Sequence, residues 1–130
     1  MTIKSADPIE EIIAWAEAQS ARILSEGKPI GGFPLALAAE VGVQHVDLIR
    51  TVKVDELPRP PSPSFKAMLE KAGIYEPYNA AMAFGYAVCG LPGFTTAPIL
   101  AHAFRRVRQY EAAGSIANFM REYISQIEQF

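Results

Sequence analysis

Two histidines in 130 residues restrict any chemistry that needs an imidazole base. His45 reads as a surface or edge residue at the start of a strand. His102 is more informative, because it stands in the run LAHAFRRVRQYEAAGS, where Arg105, Arg106, Arg108 and Tyr110 follow it closely. A basic cluster of this kind can bind a carboxylate or phosphate through charge-assisted hydrogen bonds. Arg105, Arg106 and Tyr110 are the candidate ligand-binding residues, with Lys71 as a further cation if it lies nearby. The same arginines can instead be solvated, or paired with acids such as Glu111 and Glu122. His102 also has two readings: a residue on the shoulder of a packing helix, or an acid or base acting beside Arg105 or Arg106 on an acidic small molecule.

The single cysteine, Cys89, excludes an intramolecular disulfide and a multi-cysteine metal site, and it fits a reducing, cytoplasmic compartment. With no histidine beside it in sequence, Cys89 is expected to be a buried and inert thiol. The chain contains no P-loop, no dinucleotide-binding glycine fingerprint and no GxSxG elbow.

The elements that must position these residues follow from periodicity and punctuation. Asp7, Pro8 and Glu10 mark a helix start, and Ile9, Ile12, Ile13, Ala16 and Ile23 recur at helical spacing as far as Ser25, with Gly27 as the stop. Phe33 to Val41 predicts a short apolar helix ended by Gly42. From His45 to Val54 the β-branched content rises, and Val46, Leu48, Val52 and Val54 share one parity that Arg50 interrupts, which predicts a strand. Pro58, Pro60, Pro61 and Pro63 exclude helix and interior strand and predict a stiff extended connector, which could also dock a partner. Ser64 is the expected cap of a helix carrying Phe65, Met68, Leu69 and Ala72 and stopped by Gly73. Residues Ala80 to Cys89 place Met82, Phe84, Tyr86 and Val88 on one parity and small residues on the other, which predicts one strand.

Thr96 and Pro98 open the helix that carries His102, and its expected core face is Leu100, Ala103, Phe104, Val107 and Tyr110. Gly114 ends it near Ala113. Ser115 then caps a last helix running to about Gln129, with Ile116, Phe119, Met120, Tyr123, Ile124 and Ile127 on its apolar face.

Leu100, Ala101, His102, Arg105, Val107, Gln109, Tyr110, Glu111, Gly114 and Ser115, with Gly85 and Tyr86 upstream, carry a family resemblance. Together with VQHVDLIRTVKVDELPRPP and the ending FMREYISQIEQF, they resemble an uncharacterised bacterial zincin-like group whose segment reads HE-x-R-H and then QYE-x-x-GS. The resemblance covers most of the chain from about Gly31. In a zincin, two histidines one helical turn apart hold zinc, and the glutamate beside the first polarises the attacking water. Here the resemblance maps the first histidine onto His102, but Ala103 stands at the glutamate position and Arg106 at the second histidine. Arginine offers no lone pair to zinc and alanine cannot act as a base. The usual third ligand, for which Glu122 or Glu128 would stand, then has no site to complete. The resemblance implies a zincin-like scaffold with a degenerate motif and no metal, rather than a working protease.

With 12 basic and 14 acidic residues, a net charge of -2 and 50% hydrophobic residues, the chain has the composition of one compact domain over 1–130. Nucleic-acid binding is not expected at this charge, and no apolar run approaches the roughly 20 residues of a membrane span. The N-terminus lacks the basic start and apolar core of a signal peptide. The expected architecture is α+β: an N-terminal helix, a small sheet built on two strands, and a zincin-like helix followed by a second helix. A two-strand sheet is marginal alone, so it must be covered by helices or extended across a homodimer through an exposed edge. The leading expectation is a non-catalytic domain, without cofactor, that binds a protein or a small anionic ligand. The alternatives are a small enzyme using His102 with Arg105 or Arg106, and a structural or regulatory interaction module docking through its prolines.

Overall fold

A computed structural model of the chain describes residues 8–72 and 80–128, with side chains of the last helix described as far as Ile124. The expected caps and stops at Asp7, Gly73 and Gln129, and the expected apolar side chain of Ile127, lie outside these residues. Helix α1 (Pro8–Glu26) buries Ile12, Ile13, Ala16 and Ile23 along one stripe. Gly27 ends it with its amide on the Ile23 carbonyl at 2.7 Å, and a Cβ there would stand 2.7 Å from that same oxygen and 3.1 Å from the Thr51 carbonyl, so a side chain is not accommodated. Helix α2 (Gly32–Val41) ends at Gly42, whose φ of 111° is the left-handed conformation that glycine adopts without strain.

Among the described residues four strands form one mixed sheet in the order β1-β2-β4-β3: β1 (Lys28–Pro29), β2 (Arg50–Lys53), β3 (Ala81–Phe84) and β4 (Ala87–Gly90). β2 and β4 are parallel, and both outer pairs are antiparallel. With five helices among the described residues, this is the α+β class that the sequence predicts.

Three local expectations are corrected. The segment expected as a strand from His45 is first a 3-10 turn, Val46–Leu48, and only Arg50–Lys53 pair in the sheet. The single strand expected over Ala80 to Cys89 is a hairpin, because Gly85 takes a φ of 68° while Tyr86 does not share the positive φ, as in a type II′ turn. Alternation continues across a two-residue turn, so parity alone cannot reveal the reversal. Ser62, rather than Ser64, caps α3 (Pro63–Lys71), its hydroxyl accepting the Phe65 amide, since Pro63 suits the first helical position.

All eight residues of β3 and β4 are buried, which requires cover on both faces. Helix α1 packs on β2, β3 and β4, and the Trp15 ring meets Phe84 edge-on at 5.5 Å. Helix α4 (Ala97–Ala113) packs on β3 and α2 and pairs with α5 (Ile116–Glu128), which returns to α1. Phe84, Phe104, Phe119, Ile12 and Leu100 fill the core between them. The sheet offers no long open edge among the described residues: β3 is buried, and β1 is two residues long and contains Pro29. The expected edge-to-edge dimer therefore lacks its structural motive here.

Candidate functional site

Helix α4 carries the candidate residues, and its periodicity sorts them onto different faces. Leu100, Ala103, Phe104, Val107 and Tyr110 are buried, as the spacing predicts. Ala103, which the expected zincin-like pattern sets at the glutamate position, is 3% exposed and part of the core. His102 is exposed. It lines none of the cavities described below, all of which are walled by described residues.

Arg105, Arg106 and Tyr110 do not form one site. Arg106 turns toward α5, with its guanidinium carbon 5.7 Å from the Phe119 ring centre and 6.0 Å from that of Tyr123, and it donates to Gln109 Oε1 at 2.7 Å. Tyr110 is 2% exposed and lies against Phe119 at 4.0 Å between ring centres. Burial pushes its hydroxyl above the usual phenol range, against the pull of the Arg106 charge. Among the described residues that hydroxyl has no hydrogen-bond partner.

Arg105 and Arg108 point outward, one turn apart, and frame a shallow depression of about 320 Å³ with Gln109 and Ala112. Among the described residues neither has an ion pair. Glu111 and Glu122, the acids that the sequence offered them, are not used in this way. The Arg108 side chain also lies over Gly42, the residue closing α2, so its charge faces the partial negative end of that helix.

Glu111 has a different task. Its Oε1 accepts the Gln44 amide at 2.8 Å, and its Oε2 accepts the His45 amide at 2.9 Å and the Tyr86 hydroxyl at 2.7 Å. Burial alone raises this carboxyl, but the three donors and the His45 charge hold it below the usual range. Tyr86 is pushed up to about 12, by burial first and then by the carboxylate beside it. Neither the turn at Tyr86 nor the loop at Gln44 is near Glu111 in sequence, and no local pattern announces the clamp.

Beside the clamp, Ser20 and Leu24 of α1, the Gly85–Tyr86 turn, and Tyr110, Glu111 and Ile116 at the α4–α5 junction line a half-open cavity of about 270 Å³. A larger groove of about 530 Å³ runs along Pro60, Pro61 and Pro63, flanked by Arg59 and Lys66. Arg59 is paired with Glu56 across that connector.

Among the described residues, no three His, Cys, Asp or Glu side chains gather as a metal-binding group, and no helix is long and apolar enough to cross a membrane. Comparison with known proteins finds no matching family model, no matching curated protein and no matching solved structure.

Proposed function

We propose that this chain is a non-catalytic domain of the cytoplasm, resembling zincins in its scaffold, that works by holding a carboxylate-bearing partner on the outer face of α4. One observation carries the reading: Arg105 and Arg108 stand exposed and one turn apart around a shallow depression, with no acid among the described residues paired to either. Guanidinium groups bind carboxylates in bidentate fashion, and two of them one turn apart match a pair of acids on an extended or helical segment. The chain is net negative, so this face is a local basic feature and not part of a general positive field.

Packing supports the non-catalytic half of the reading. Ala103 is committed to the core and Arg106 to the rings of Phe119 and Tyr123, so neither position supplies a ligand or a base. His102 is exposed and lines none of the cavities among the described residues, which favours the binding reading over the enzyme alternative.

Titration of the labelled protein with a glutamate-rich peptide, followed by heteronuclear NMR, tests the proposal. Saturable shifts of the amides from 105 to 112 are expected, weakening as salt is added. Replacing both arginines, Arg105→Ala with Arg108→Ala, should weaken binding by about tenfold or more. Equal binding by the double variant overturns the assignment of this face.

A further inference from the structure

A second site, independent of the arginine face, lies at the cavity beside the Glu111 clamp. We propose that this cavity binds a small primary amine with an apolar body. Its chemistry follows from its walls. Among the described residues that line it, the only charged side chain is Glu111, and none is a lysine, arginine or histidine. An anion placed there would face a carboxylate with no cation on the wall to compensate.

The polar groups of the cavity are matched to a donor. Each carboxylate oxygen has about two acceptor positions, and Glu111 Oε2 already takes two donors while Oε1 takes one. One acceptor position on Oε1 is left. Tyr110 also lines the cavity, and its hydroxyl, on a residue that is 2% exposed, has no partner among the described residues. A buried polar group left in this state costs about 1–3 kcal/mol, which a ligand recovers if its ammonium displaces the wall enough to reach the hydroxyl. Ser20, also buried, adds a hydroxyl to the wall. A primary ammonium brings three donors and no acceptor, and it suits the carboxylate.

The rest of the wall is apolar. Leu24, 43% exposed, and Ile116 flank the space. Gly85 keeps it open, since a Cβ there would stand 3.5 Å from the Ile116 side chain and 3.9 Å from Ser20 Oγ. A volume of about 270 Å³ lies just below the usual range for drug-sized ligands and suits a single ring with a short arm.

The test uses three probes that share one ring: benzylamine, benzyl alcohol and benzoate, each titrated into the full chain and followed by amide shifts. Benzylamine should shift Gly85, Tyr86, Glu111 and Gly114 saturably, benzyl alcohol should bind roughly tenfold more weakly, and benzoate should leave these amides unmoved. Ile116→Trp, which fills the space, should abolish benzylamine binding while glutamate-peptide binding at the arginine face persists. Tyr110→Phe serves as a second variant, because removing an unpartnered hydroxyl should keep the thermal midpoint or raise it while weakening benzylamine about tenfold. Benzoate binding as tightly as benzylamine, undiminished benzylamine binding in both variants, or no saturable shift with benzylamine, overturns the proposal.

Discussion

The Tyr86 hydroxyl donates to Glu111 Oε2 at 2.7 Å, tying the turn of the β3–β4 hairpin to the last turns of α4. The same carboxylate accepts the amides of Gln44 and His45, so one side chain holds the hairpin turn, the loop after α2 and α4 together. A carboxylate near the negative end of a helix is unfavourable by itself. Three donors offset that position.

Acid should release this clamp. The folded carboxyl lies below its ordinary value of 4.5, so its contribution is fully present above that pH and is lost as pH falls through the folded value. Glu111→Gln should lower stability by about 1 kcal/mol at pH 7 and flatten the dependence of stability on pH below about 5. Urea midpoints measured from pH 7 down to pH 3 check this, and parallel curves for the two proteins would remove Glu111 as the cause.

Tyr86→Phe should act through the same contact. It removes a donor from the carboxylate, so it should cost about 1 kcal/mol alone and much less in a chain that already carries Glu111→Gln. A double-mutant cycle by chemical denaturation measures the coupling. Strict additivity of the two losses would show that the bond contributes nothing in solution.

Gly90 and Phe94 give the sharpest steric prediction. The phenyl ring lies directly on Gly90 and leaves no room for a Cβ, and both residues are buried. Gly90→Ala must push the ring off the end of β4, with an expected loss of about 2–3 kcal/mol by urea unfolding. A loss below about 0.5 kcal/mol would mean that the ring leaves its place freely.

Cys89 should be a poor nucleophile while the chain is folded. Burial pushes its thiol up to about 11, and it has no exposed surface. Reaction with a disulfide reagent at pH 8 should be slow in buffer and rise steeply across the urea transition. Rapid labelling in buffer would contradict the burial.

Arg105 and Arg106, adjacent in sequence, should separate by experiment. Arg106→Ala removes a cation from above two rings at the α4–α5 contact and should cost about 0.5–1 kcal/mol. Arg105→Ala should leave the thermal midpoint nearly unchanged and weaken glutamate-peptide binding. Reversed effects in the two variants would reverse their assignments.

Local rules in the sequence determined the helices. The buried stripe of α4 and the stops at Gly27, Gly42 and Gly114 follow from interactions within a few residues. Punctuation was less decisive where two neighbours competed, as when Pro63 moved the cap of α3 from Ser64 to Ser62. The hairpin at Gly85 was hidden because a two-residue turn preserves alternation. Tertiary structure alone decided the candidate sites. Which face of α4 each arginine takes is set by what α2 and α5 present to it, and the Glu111 clamp closes over 66 and 67 positions of chain. Side-chain spacing fixes neighbours along one element, whereas contacts between elements depend on how those elements dock.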